Sequence, residues 1–184
     1  MDYRSEWASP PNGGLRPPPR APHPPGSRAP GLRVNGRAMA LAEGSAARPL
    51  IEVLRNDLGL TVAKRGCAGD GRTACGACTV LLDGRAVAAC GITAGDASDG
   101  DIVTIEGLVA EPDNRVIAAF AAEEALGCGD CWPGIVLAAA ALLEDHWRPS
   151  DAEIDKAMSA VSCRCGAPPN VRRAIRRAAG CPPG

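Results

Sequence analysis

The chain has 184 residues, 46% of them hydrophobic but only 3% aromatic, and a formal net charge of -1. That near-neutral balance excludes an overall field recruiting nucleic acid or an anionic membrane, and two histidines leave Ser-His-Asp or Cys-His catalysis almost nothing to draw on. Nine cysteines in so short a chain make thiol chemistry the prospect that remains.

Residues 1–30 hold nine of the seventeen prolines, including the run Pro17-Pro18-Pro19, with no apolar periodicity. They read as a disordered, partly polyproline-II tail. From Leu32 the texture changes. Leu32 to Val34, the turn Asn35-Gly36 and Arg37 to Leu41 predict a β-hairpin. Leu50, Val53, Leu54 and Leu58 recur at helical spacing, and Gly59 stands where a glycine would end that helix. A Gly- and Cys-rich loop, 66–78, leads to a second hairpin: Thr79 to Leu82, turn Asp83-Gly84, then Arg85 to Cys90. Asp101 to Ile105 makes one more strand.

After Pro112 the signals are helical. A first helix is expected from Arg115 to Leu126, and a second, with Pro133 in its first turn, to about Asp145. Ser150-Asp151-Ala152-Glu153 is a capping-box pattern opening a third through Ala160, and Asn170 would cap a fourth running to Ala179 and closed by Gly180. The fold class expected is α+β: a β-grasp domain over 31–108, then an all-α four-helix domain over 114–181. The longest apolar run, Ile135 to Leu143, is too short to span a bilayer, so no membrane insertion is expected. With no apolar signal region at the N-terminus, a cytoplasmic location is expected, co-export with a partner aside.

Two groups of four cysteines stand out. Cys67, Cys75, Cys78 and Cys90 read C-x7-C-x2-C-x11-C, against the C-x4-C-x2-C…C of plant-type [2Fe–2S] ferredoxins. The last two spacings suit that pattern, whereas the first is three residues longer. The glycines of the loop (Gly66, Gly69, Gly71, Gly76) let backbone N–H groups approach sulfur. Cys128, Cys131, Cys163 and Cys165 form the second group, C-G-D-C and C-R-C, at predicted helix boundaries. Cys131 precedes the helix opened by Pro133, whose positive end favours anionic thiolates. Four thiolates also bind zinc, and a disulfide framework is the third reading. Cys181 is left over as a surface bystander.

Taken together, these blocks resemble the small iron–sulfur subunit of the xanthine oxidase family of molybdenum hydroxylases. The resemblance covers about Leu32 to Ala179 and is carried by Leu54-Arg55-Asn56-Asp57-Leu58-Gly59-Leu60, Cys75-Gly76-Ala77-Cys78-Thr79-Val80, Asp83-Gly84, Thr104-Ile105-Glu106-Gly107-Leu108 and Ser162-Cys163-Arg164-Cys165-Gly166. With Pro169 and Val171 to Arg176 following, the last block is closest to the isoquinoline 1-oxidoreductase type.

The resemblance implies two [2Fe–2S] clusters, one in a plant-type ferredoxin-like β-grasp domain and one in the helical domain. It implies a separate large subunit carrying molybdopterin, and an FAD subunit or a cytochrome as acceptor. In such proteins electrons pass from the pterin to the helical-domain cluster (here Cys128, Cys131, Cys163, Cys165), then to the β-grasp cluster (here Cys67, Cys75, Cys78, Cys90).

Departures are the longer Cys67–Cys75 loop, Gly127 where the family has a pterin-binding Gln, and Asp130 between Cys128 and Cys131, whose charge would lower that cluster's potential. Trp132, beside a cluster ligand, reads as a buried anchor for the large subunit, and Arg172, Arg173, Arg176 and Arg177 either face an acidic partner or form a solvated basic face. The rival readings are a zinc-stapled adaptor, a free-standing electron carrier, and a relict subunit lacking the first cluster.

Overall fold

The structure, a computed structural model, describes residues 31–67, 75–98, 100–163, 165 and 169–181. The expected tail, 1–30, and most of the loop between Cys67 and Cys75 lie outside the described residues.

Five short strands form one sheet in the order β2-β1-β5-β3-β4. β1 (Gly31–Val34) and β2 (Arg37–Ala40) are the first hairpin; β3 (Thr79–Leu82) and β4 (Arg85–Ala88) are the second. β5 (Asp101–Val103) joins them, parallel to β1 and antiparallel to β3. Both hairpin turns hold two residues at positive φ, Asn35 (50°) with Gly36 (75°) and Asp83 (50°) with Gly84 (79°). Asn-Gly and Asp-Gly tolerate that conformation, and its twist matches that of the flanking strands.

Strand alternation assigns each face its own core. Val80 faces a cluster with Leu32, Val34, Ile102 and the helix α1 (Leu50–Glu52), which continues as a wider π turn over Val53–Asp57. The first N–H groups of α1 are satisfied without a side-chain cap, because Leu50 and Ile51 donate to the carbonyls of Ile92 and Ala89 just after β4. Leu81, the next residue of β3, belongs to the second cluster, built on the helices α2 (Ile105–Ala110), α3 (Arg115–Ala122), α4 (Trp132–Asp145), α5 (Asp151–Met158) and α6 (Pro169–Ala178). α4 is buried on nearly every side and supplies an alanine-rich surface on which Phe120, Ile154 and Ile175 pack at 1% exposure or less. No helix among the described residues is long and apolar enough to cross a membrane.

Several expected boundaries move. The strand expected to reach Ile105 stops at Val103, and Ile105 opens α2 instead. The Asn35 side chain causes this: its Oδ1 accepts from Thr104 N at 2.9 Å and its Nδ2 donates to Thr104 Oγ1 at 3.0 Å, occupying the groups that would continue the ladder. α3 ends at Ala122 rather than Leu126, with Glu124 turned to φ 50°. Asn170 caps nothing; it lies inside α6, and its amide donates to Glu124 O across the bundle.

The α5 capping box forms as expected, and Asn114 caps α3 by accepting from Val116 N and Ile117 N. The α6 arginines pair with carboxylates within the chain while staying partly exposed. Arg176 donates to Asp151 at 2.6 Å, Arg172 pairs with Asp155, and Arg173 and Arg177 both reach Glu123 at 3.1 Å. They staple α6 to α3 and α5.

Candidate metal centres

The first cysteine group gathers where the second hairpin meets the loop before it. Cys78 ends that loop, and the ladder of β3 with β4 extends one step beyond the strands, with Ala89 N donating to Cys78 O at 3.2 Å. That step brings Cys90 against Cys78. The Cys78 thiol is buried at 2% exposure, and Cys67, Cys75 and Cys90 are half-buried. Burial, a hydrogen bond with Cys78 and the nearness of Cys78 and Cys67 push the Cys90 thiol up to about 11.

Cys67 is delivered by a braced approach. Arg55 donates to the carbonyls of Thr61 and Ala63, Arg65 pairs with Glu52 at 3.0 Å, and Lys64 N donates to Ala77 O at 3.0 Å. Gly66 allows Cys75 to close in, since a Cβ there would lie 3.1 Å from Cys75 Sγ. Residues 68–74, which hold the lengthened part of the loop, lie outside the described residues.

The second group forms at the N-terminus of α4. Cys131 is the residue before that helix, and Cys128 lies in the preceding turn, where Gly127 (54°) and Gly129 (87°) take positive φ. Cys163 comes from the segment after α5. Burial, a hydrogen bond with Cys163, and Cys163 and Cys128 close by push the Cys131 thiol up to about 12. Cys128 and Cys165 are exposed, and Cys128 Sγ lies 3.9 Å from Asp130 Oδ2. In the first group Cys90 thus lies beside Cys78 with Cys67 close by, and in the second Cys131 lies beside Cys163 with Cys128 close by. Among the described residues no three His, Cys, Asp or Glu side chains converge as a single-ion site.

The two groups touch. Ser162 N, one residue before Cys163, donates to Cys75 O at 3.0 Å. Gly76 at φ 71° fits against the same segment, since a Cβ there would lie 2.7 Å from Ala160 O and 2.8 Å from Val161 Cα. On its other side Gly76 O meets Gly134 in the first turn of α4, where a Cβ would come to 2.0 Å. Lys64 completes the contact, its Nζ donating to Gly129 O at 3.1 Å. Gly134 and Lys64 are absent from the residues singled out in the sequence, and Ser162 is there only as the first residue of a family block. Their signal there is position: Gly134 three residues after Cys131, Ser162 one before Cys163 and Lys64 three before Cys67.

Trp132, expected as a buried anchor for the large subunit, packs partly buried against the helical core within this chain, and its Nε1 is sealed from solvent with no acceptor among the described residues. An orphaned buried donor costs about 1–3 kcal/mol, so a group filling the space beside Cys131 has a hydrogen bond waiting for it. Cys181 half-buries against the helical core, and its N–H donates to Arg176 O at 2.9 Å.

Comparison with known proteins agrees with this chemistry. Residues 104–176 match the family described as the [2Fe-2S] binding domain. The chain is 38% identical over 148 residues to the nicotinate dehydrogenase small FeS subunit of Eubacterium barkeri, a match spanning 80% of this chain and 92% of that protein. It is also 38% identical to the alpha chain of isoquinoline 1-oxidoreductase of Brevundimonas diminuta, over 79% of this chain and 94% of that one. The crystal structure of quinoline 2-oxidoreductase from Pseudomonas putida 86 aligns with a TM-score of 0.71 at 31% identity, covering 82% of this chain and 92% of that chain.

Proposed function

Since the chain belongs to the iron–sulfur small subunits of the xanthine oxidase family of molybdenum hydroxylases, we propose that it carries electrons through two [2Fe–2S] clusters, away from a molybdopterin-bearing large subunit. One cluster is held by Cys67, Cys75, Cys78 and Cys90 in a ferredoxin-like β-grasp domain over 31–108. The other is held by Cys128, Cys131, Cys163 and Cys165 in a helical domain over 114–181, with α2 as the connection packed on the helical side. When bound, such clusters accept and release one electron at a time.

The observation that carries the reading is the junction between the two centres. From Cys75 the backbone carbonyl leads through one hydrogen bond to Ser162 N and on to Cys163, a route without a through-space gap. The contacts at Gly76 and Gly134 hold that route in place. Structural zinc sites would need no such connection.

Exposure supports transfer from the second centre to the first. Cys128 and Cys165 are exposed beside the exposed apolar Leu126, so the second centre presents the face that a large subunit would cover. The half-buried first centre would then pass electrons on to an FAD subunit or a cytochrome. Asp130, near Cys128 Sγ, disfavours added negative charge there and lowers that cluster's potential.

Anaerobic reconstitution with iron and sulfide, iron counting and EPR of the reduced protein test the proposal. Two distinct [2Fe–2S] signals with about four irons per chain are expected. A colourless protein holding zinc would replace it with the adaptor reading, and one signal with about two irons would favour the relict subunit.

A further inference from the structure

Lys64 bonds to both cysteine loops, by its backbone N–H to the first and by its ammonium to the second. Its backbone N–H donates to the carbonyl of Ala77, between Cys75 and Cys78, at 3.0 Å. Its ammonium donates to the carbonyl of Gly129, between Cys128 and Cys131, at 3.1 Å. Gly129 is at φ 87°, a conformation open to glycine, which lets its carbonyl turn toward the lysine. The residue is half-buried and lies three positions before Cys67. The neighbouring cations are otherwise engaged: Arg55 holds the Thr61 and Ala63 carbonyls, and Arg65 holds Glu52.

We propose that Lys64 is a positioning residue that locks the two centres together and, through its charge, keeps both clusters easier to reduce. The inference rests on the two-cluster reading above. A [2Fe–2S] core with four thiolates is anionic, and reduction adds one more negative charge. The ammonium is fixed at the second ligand loop on a residue whose backbone is bonded to the first. Its charge thus stabilises the reduced form of the second cluster from close by and of the first at longer range, and partial burial limits the screening of that effect. The bland alternative is a lysine that merely ties down the Gly129 turn. That role needs a donor but no charge, so the two are separable.

The test is an EPR-monitored potentiometric titration of the reconstituted full-length chain, comparing wild type with Lys64→Arg, Lys64→Gln and Lys64→Met. Lys64→Arg should keep both midpoint potentials. Lys64→Met should move the reduction equilibrium of both clusters toward the oxidised form, the first by less and the second by roughly tenfold, which is 59 mV for a one-electron couple. Lys64→Gln, which keeps a donor but loses the charge, should move both the same way and decides the matter if Lys64→Met fails to load. Unchanged potentials in Lys64→Gln, or a shift of the second cluster alone, would overturn the proposal. A wild-type chain without two [2Fe–2S] signals would instead overturn the cofactor reading beneath it.

Discussion

The amide of Ser162 donates to the carbonyl of Cys75 at 3.0 Å, so one backbone hydrogen bond joins the loop of the first cysteine group to the residue preceding Cys163 in the second. The residues are 87 positions apart in sequence, and Gly76 and Gly134 leave room for the close approach around the bond. Gly76 lies flat against Ala160 and Val161 on one side and against Gly134 of α4 on the other. Packing between the sheet and the helices, rather than a linker, thus sets the spacing of the two centres.

Gly134→Ala should therefore damage both centres at once. A Cβ at that position would lie 2.0 Å from Gly76 O, and neither the helix nor the loop can yield without moving a cysteine. Overpacking of this kind costs about 3 kcal/mol at the upper end of its usual range. That corresponds to a melting temperature lower by about 6–12 °C for a chain of this size. Thermal unfolding followed by circular dichroism should show the drop, with iron content reduced at both sites. Wild-type melting in the variant would show that the sheet and the helices are not pressed together there.

Cys131→Ser and Cys163→Ser should each lower helical stability as well as remove the second cluster. The helical core contains one phenylalanine, and eight of its twenty-two buried residues are alanine, which buries little area per residue. Ligand binding at the head of α4 is therefore folding free energy for that half of the chain. The expected result is a loss of helicity and of melting temperature together. Unchanged helicity and melting would make the cluster a passenger.

Much of this was legible in the sequence. Asn35-Gly36 and Asp83-Gly84 announce their hairpins because few other dipeptides accept two positive φ angles, and Ser150 with Glu153 announces α5 because the capping box is local. The eight candidate ligands were also visible, as spacings of a reactive residue type. What the sequence hid depends on tertiary contact. Asn35 ends β5 through a partner 69 residues away, and the α6 arginines find their carboxylates on two other helices. Lys64 and Ser162 carry no tertiary signal until the fold brings the ammonium of the one and the amide of the other against the opposite cysteine loop.

The thiols give a pH prediction. The Cys90 and Cys131 thiols are raised above their ordinary 9.0, to about 11 and about 12, mainly by burial. Raised values mean that the folded, metal-free chain holds these protons where an unfolded chain releases them. Its stability is then full below pH 9 and falls as pH rises through 11 and 12. Metal must displace those protons, so apparent Co(II) affinity should climb across about pH 7 to 9 without levelling, accompanied by proton release into a weakly buffered solution. A plateau near about pH 8 would mean that the thiols are already ionised.

Trp132→Phe should act in opposite directions in the loaded and metal-free protein. In the metal-free chain the indole N–H is buried without an acceptor, which costs about 1–3 kcal/mol. Phenylalanine removes the donor while filling most of the same space, so the metal-free variant should melt no lower than wild type, and higher if the packing is kept. The atom is sealed from solvent beside Cys131, whose cluster would offer it a sulfur acceptor. An N–H directed at cluster sulfur favours the reduced state. Losing it should move the second cluster's reduction equilibrium several-fold toward the oxidised form, against 59 mV for a full tenfold change. The first cluster should not respond. EPR-monitored titration separates the two signals, and pulsed EPR in deuterated buffer should lose one exchangeable proton from the second. If its potential and that proton both persist, the indole bonds elsewhere, and Trp132 is a packing residue.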